Sequence, residues 1–470
     1  MPGAHVIAPA AVLLDDRQAR QVLAVTAAGV YVVFLDTTVV NIAFPALQAD
    51  FTDVTRAGLS WVLNGYAVVF GALLLTAGRL ADSRGRRRVF LLGLTVFGAA
   101  SALCGLAPDV ASLVAARTLQ AVGAALLVPA SLALLLTAYP PEKRSTAVGL
   151  WGAVGALAAA SGPSIGALLV EGLGWRWVFF VNVPICLAAL WAGRRVLRES
   201  TGPKLHSAPD WIGVVLVTVV IGLLCLGIVQ SELWGWSSPG VLGSLAAGVL
   251  LAPVLVIRSL RHPDPVLPVR LFAVRAFSAA TAGTLLFAVA FFSTLLGNVL
   301  FLTSVWDYSV LRTAMAVLPA PLLAAALSPP AGRIADRHGH RIVVVPGALL
   351  VATATLWFAL RLGGEASYVT QFLPGALLFG CGVGLAFAAL GSAGAVALPP
   401  HAFGVGSAVG AAARQIGAVL GVAGLIALLG TPGPGQALDA FGDAYLAAAM
   451  SALACAAVGV GLAHRRAGEG

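Results

Sequence analysis

Gly78-Arg79-Leu80-Ala81-Asp82-Ser83-Arg84-Gly85-Arg86-Arg87 recurs 254 residues later as Gly332-Arg333-Ile334-Ala335-Asp336-Arg337-His338-Gly339-His340-Arg341. Each copy is an island of charge in a chain that is 59% hydrophobic and only 10% charged over 470 residues. A soluble domain is about a quarter charged, so no water-facing fold with a single core can absorb this much apolar surface. Each copy also lies between long apolar runs. A run of roughly 20 apolar residues crosses a bilayer as a helix, because only a helix satisfies its own backbone where there is no water. The period-2 alternation of a membrane barrel is absent.

Working outward from the two copies, apolar spans fall at 21–47, 60–78, 89–107, 111–138, 146–170, 177–193, 211–230, 241–257, 277–301, 313–331, 342–360, 369–390, 404–429 and 444–463. The run after Arg20 is too long for the apolar region of a cleavable signal and reads as the first span. With fourteen spans both termini share one side. That side carries 22 of the 28 Lys and Arg residues, and the opposite loops carry only Arg56, Arg176, Arg312 and Arg361. The positive-inside rule therefore places both termini in the cytoplasm. The net charge of +9 is read as topology, and no nucleic-acid partner is expected.

A second match, at an offset of 255, aligns Gly149 with Gly404 and the run Ala153 to Ala156 with Ala408 to Ala411. Together the matches indicate parallel six-helix repeats, a plan that places the substrate site near the midplane between halves. The expected organisation is a cytoplasmic N-tail (1–20), an N-terminal six-helix bundle (21–200), linkers with two extra helices (201–275), a C-terminal six-helix bundle (276–463) and a cytoplasmic C-tail (464–470). The fold class is an all-α membrane protein.

Three charged residues lie inside the spans: Asp36, Arg117 and Arg414. Charge at membrane depth costs at least about 2.5–3.5 kcal/mol and marks a functional position. Asp36 is a carboxylate able to take up and release a proton as its surroundings alternate; the competing reading is a permanently ionised partner of an arginine. Arg117 cannot deprotonate, so its expected role is to answer the charge of Asp36, with Gln120 on the same helical face. A helix-packing salt bridge is the alternative. Arg414 shares a face with Gly410, Gly417 and Gly421, a packed face on which structural and substrate-contact readings stand level. Asn41, Trp61, Asn64, Tyr66, Gln120, Asn298, Arg414 and Gln415 are candidates for a substrate cavity, against the alternatives of interface anchors or packing hydrogen bonds.

The chain resembles the major facilitator superfamily, and within it the fourteen-helix drug:proton antiporters. Four stretches carry the resemblance: Leu35-Asp36-Thr37-Thr38-Val39-Val40-Asn41-Ile42-Ala43-Phe44-Pro45, the Gly78 stretch, Arg117-Thr118-Leu119-Gln120, and Ser161-Gly162-Pro163-Ser164-Ile165-Gly166. Ala121 and Ala167 stand where the family often has glycine, and Ser83 where it often has a basic residue. The resemblance implies two bundles plus two inserted central helices and proton coupling through Asp36 and Arg117. It also implies a cytoplasmic gating loop at Gly78, Asp82, Arg84, Gly85 and Arg86, with its second copy at Gly332, Asp336 and Gly339. In that loop glycines make tight turns, and solvent-facing ion pairs break at little cost; charge that serves topology alone is the alternative. Gly155, Gly162, Pro163 and Gly166 resemble the signature of exporters; an ordinary Gly-rich packing helix is the alternative.

Other functions fit poorly. Lys143 and Lys204 are the only lysines and neither sits in a GxxxxGK[ST] loop, so an ATP-driven pump is excluded. The five cysteines are isolated and the seven histidines fall in loops or tails, so no disulfide framework, metal or cofactor is expected. A membrane-embedded enzyme would need clustered acid and base groups that are missing. A proton-coupled nutrient symporter remains the alternative carrier. With one buried acid against two arginines, neutral or anionic amphipathic substrates are expected over dications. The expected setting is the bacterial inner membrane, since arginine dominates lysine as in a GC-rich bacterial genome, and the expected state is a monomer.

Overall fold

The computed structural model describes residues 15–200, 210–430 and 436–462. Sixteen helices account for most of them: α1 (Asp16–Asp50), α2 (Arg56–Arg84), α3 (Arg86–Gly105), α4 (Val110–Ala138), α5 (Arg144–Leu173), α6 (Trp177–Phe180), α7 (Asn182–Val196), α8 (Trp211–Trp234), α9 (Pro239–Arg261), α10 (Arg275–Ser304), α11 (Val310–Val317), α12 (Pro319–His338), α13 (Arg341–Arg361), α14 (Leu373–Val396), α15 (Phe403–Leu429) and α16 (Ala437–Gly459). Short polar side chains start several of them. Asp15, Thr55, Asp109, Ser238 and Ser309 each accept a backbone N–H of the first turn.

Thirteen helical segments are long and apolar enough to cross a membrane, counting α6 with α7 and α11 with α12; α5, whose halves are bent by 42°, makes the fourteenth. The bend falls where the sequence places Gly162 and Pro163. Large aliphatic side chains such as Leu168, Leu250 and Leu360 stand more than 70% exposed, as a lipid-facing surface requires.

Helices α1–α7 form one bundle and α10–α16 the other. The first packs around Phe90, Phe97 and Leu127, the second around Phe287, Val344, Val351 and Phe379. Between them α8 and α9 pack on each other, and Val217, Ile221 and Cys225 of α8 join Leu75 of α2 and Val405 and Val409 of α15 in one cluster. The inserted pair therefore flanks the seam, touching both bundles. Across the seam α5 meets α12 and α14, and α15 meets α2 and α4.

The structure corrects one expectation. The Gly78 stretch is not a loop: α2 continues through Arg84 and α12 through His338, and the helix is interrupted at Gly85 in the first copy and at Gly339 and His340 in the second, the two glycines having φ of 112° and 89°. Those two glycines serve the left-handed backbone. Gly78 and Gly332 instead permit close helix contact, since a Cβ on Gly78 would overlap the Gly404 carbonyl and one on Gly332 the Ser145 carbonyl.

Candidate functional site

Asp36 sits in the middle of α1 with no exposed surface, and Arg117 of α4 is 2% exposed. Two unpaired charges at that depth would be prohibitive; here they meet. Arg117 Nη1 donates to Asp36 Oδ2 at 2.6 Å and to Gln120 Oε1 at 2.6 Å, while its Nε donates to the Val62 carbonyl of α2 at 3.2 Å. Gln120 Nε2 donates to Asp36 Oδ1 at 2.9 Å and to Ser101 Oγ of α3 at 2.8 Å. Asn182 Nδ2, at the first position of α7, donates to Asp36 Oδ1 at 2.8 Å. The guanidinium also lies over the rings of Tyr66, at 4.2 Å, and Phe179, at 5.7 Å. Three donors converge on one carboxylate, the arrangement of an ionised, acceptor-only group. A proton on Asp36 would remove the negative charge that strengthens all three bonds, and would weaken the hold on Arg117 most, because that bond loses its ion pair.

Sequence reasoning paired Asp36 with Arg117 and Gln120 but missed Ser101 and Asn182. Their only signal was a polar side chain inside an apolar run, shared with many packing serines and asparagines. No spacing links α3 and α7 to α1.

The second arrangement is the pair of motif acids. Asp82 of α2 accepts the N–H groups of Gly404 and Val405, at 3.0 and 2.8 Å, at the start of α15. Asp336 of α12 accepts those of Ser145 and Thr146, both at 2.8 Å, and the Thr146 hydroxyl at 2.5 Å, at the start of α5. Neither α5 nor α15 has a side-chain cap of its own. Each bundle thus caps a helix of the other, joining an acid to the positive end of a helix dipole.

Two expectations change. The ion pair is not solvent-facing: Arg86 donates to Asp82 from Nε at 3.0 Å and Nη2 at 2.7 Å with both side chains at most 3% exposed, and it also reaches the Pro400 carbonyl at 2.6 Å. Arg84 is exposed and makes no ion pair among the described residues. The 255-residue match is also one helical turn out of step, because the caps make Gly404 equivalent to Ser145, not Gly149. A glycine stripe repeating each turn slides by four residues without losing its pattern.

Gly155, Gly162 and Gly166 all face α1: added Cβ atoms there would lie 3.5 Å from Phe34, overlap Thr38 and lie 3.2 Å from Ile42. The segment is the seat of the helix that carries Asp36. Of the cavity candidates, Arg414 lines a cavity of about 40 Å³ between the bundles, with Trp151 of α5 and Phe387 of α14. Gly417 and Gly421 of its face pack on α10, at Leu285 and Val289. Tyr66 and Gln120 belong to the Asp36 cluster. Asn298 accepts from the Tyr445 hydroxyl at 2.9 Å within the C-terminal bundle. Asn41 is exposed and donates to its own helix at the Thr37 carbonyl; Trp61 and Asn64 are half-buried in α2, and Gln415 packs near Gly71.

The family model described as Major Facilitator Superfamily matches residues 26–422. The puromycin resistance protein of Streptomyces alboniger is 38% identical over 408 residues, 85% of this chain and 80% of the relative. The tetracenomycin C resistance and export protein of Streptomyces glaucescens is 35% identical over 409 residues, 87% and 75% of the two chains. The cephamycin export protein of Amycolatopsis lactamdurans is 33% identical over 440 residues, 91% and 89%. Among solved structures, a human organic anion transporter superposes with a TM-score of 0.66 at 17% identity, over 94% of this chain and 99% of the other. A proton:xylose symporter superposes with a TM-score of 0.64 at 13% identity, over 94% and 95%. At those identities the two structures speak to the fold alone.

Proposed function

The chain belongs to the major facilitator superfamily, and from that premise we propose that it is a proton-coupled exporter of small organic molecules working by alternating access. The observation that carries the reading is the closed network of Arg117, Gln120 and Asn182 around a fully buried Asp36. Three donors hold the ionised form. A proton arriving from outside discharges Asp36, loosens Arg117 toward the faces of Tyr66 and Phe179, and frees α1 to shift. Helix α1 bears on α5 through Gly155, Gly162 and Gly166, and the start of α5 is held by Asp336, so proton occupancy at Asp36 is linked by packed contacts to the closure of the motif end. Inward movement of one proton supplies about 2.3 kcal/mol per 100 mV of membrane potential.

Asp82 and Asp336 are the latches of that end. The basic excess beside them supports a cytoplasmic motif side with both termini inside, in the membrane of a bacterial cell. Three antibiotic resistance or export proteins among the relatives support an antibiotic-sized substrate, and the balance of one intramembrane acid, Asp36, against Arg117 and Arg414 favours a neutral or anionic amphipathic molecule over a dication. The transporter works as a monomer.

The test is uptake of puromycin, tetracenomycin C and a cephamycin into inverted vesicles under an imposed pH gradient. The wild type accumulates at least one of them only with the gradient, and Asp36→Asn falls to background. Gradient-independent accumulation, or transport in the opposite direction as a nutrient symporter would show, would falsify the reading.

A further inference from the structure

The seam cavity is lined by α4 and α5 of one bundle and α10, α14 and α15 of the other, and almost all of its wall is apolar. Two groups break that pattern. Arg414 reaches it from α15 with no hydrogen bond or ion pair among the described residues, its guanidinium lying 5.4 Å from the Phe387 ring centre. Trp151, 5% exposed on α5, keeps its indole N–H buried without a partner among the described residues. The two lining hydroxyls are already committed as donors, Ser407 to the Pro129 and Gly404 carbonyls and Thr284 to that of Ala280. Among the described residues no carboxylate lines the space.

An unpaired guanidinium at membrane depth is costly to keep, and so is an orphaned buried N–H. Both deficits are removed by one oxygen-bearing anionic group. The volume of about 40 Å³ holds such a head group and not a whole drug, as expected of a seam contracted by two closed latches. Phe387 and Phe287 supply flat apolar walls for what the head group is attached to.

We infer that Arg414 and Trp151 form an anion subsite between the bundles, which takes the carboxylate or phenolate of an otherwise aromatic, apolar substrate. The guanidinium pairs with the oxygens, the indole N–H donates to one of them, and the rings hold the aromatic body. The two residues lie on opposite bundles, so an occupied subsite ties the halves together across the seam. This inference rests on the export reading for the idea that the seam receives substrate, but it is tested by binding, which needs no gradient.

The probes are 1-naphthylacetate and its uncharged counterpart 1-naphthylacetamide, titrated into the purified full chain with intrinsic tryptophan fluorescence as the readout. The acid binds the wild type more tightly than the amide. Arg414→Gln weakens the acid about tenfold or more and leaves the amide unchanged, as for loss of a charge-assisted hydrogen bond. Arg414→Lys keeps most of the affinity, and Trp151→Phe weakens the acid several-fold. Thermal unfolding of each variant confirms that it is folded. Equal binding of acid and amide, no binding of the acid to the wild type, or an unchanged acid affinity in Arg414→Gln would each overturn the subsite. Failure of the export reading has a different signature: the acid binds as described, yet inverted vesicles holding the wild type accumulate substrate without a pH gradient or not at all.

Discussion

Asp36 and Arg117 show why a buried pair must be judged by what remains when one member is removed. The carboxylate is held by three side chains from α4 and α7, and the guanidinium by two acceptors, a carbonyl and two rings. Arg117→Leu leaves an uncompensated buried charge and should cost about 3–5 kcal/mol in detergent unfolding. Asn182→Ala removes one hydrogen bond to a charged group and should cost about 1–3 kcal/mol. Equal losses would mean that Asn182 carries as much of the network as the ion pair does. The sequence made Asp36, Arg117 and Gln120 legible because charge is rare at membrane depth and i, i+3 places Arg117 and Gln120 on one face. Ser101 and Asn182 were illegible because uncharged polar side chains occur throughout the spans and only tertiary packing decides which of them meet.

Two helix starts, α5 and α15, depend on acids from the opposite bundle, but the two latches are not equivalent. Arg86, which braces Asp82, corresponds at the 254-residue offset to His340. His340 Nε2 instead meets the hydroxyls of Ser145 on α5, at 3.0 Å, and Ser392 on α14, at 3.1 Å; the charged group facing it is Asp336 on α12. Burial pushes the imidazole down to about 4 despite the opposing pull of Asp336, so the closed latch holds neutral histidine. Once opened to water the ring returns toward about 6.5. Closure by this latch is therefore at full strength above pH 6.5 and weakens by about 1.4 kcal/mol per unit as pH falls from 6.5 toward 4. Spin labels at exposed Arg84 and Arg337, on opposite bundles, should move apart between pH 7.5 and 5.5 in the wild type and stay put in His340→Gln. Separation that is independent of pH in both would remove the histidine from the latch. The repeat itself was legible in the sequence, but the helical state of the motif was not. Charge clusters read as loops, and only the positive φ of Gly85 and Gly339 shows how little of each stretch leaves the helix.

At the scale of the whole molecule, the number of spans, their order and the duplicated halves followed from apolar run length and one recurring motif. What composition leaves open is where α8 and α9 go, because an apolar helix packs equally well on many apolar faces. Their place beside α2 and α15 is fixed by side-chain fit around Cys225, Leu75 and Val409. The orientation drawn from basic residues has a direct check. Alkaline phosphatase fused after Glu365 should be active and after His262 inactive, and the reverse pattern would invert the protein in the membrane. Coupling is likewise a property of the whole, since one carboxylate must govern which end of the seam is open. The measurement that tests it most directly compares two modes in the same proteoliposomes: accumulation of substrate driven by a pH gradient, and exchange of labelled for unlabelled substrate with no gradient. Asp36→Asn should lose the first and keep the second, because the halves still alternate while no proton is carried. Gradient-driven accumulation at the wild-type level in Asp36→Asn would show that the proton travels by another route.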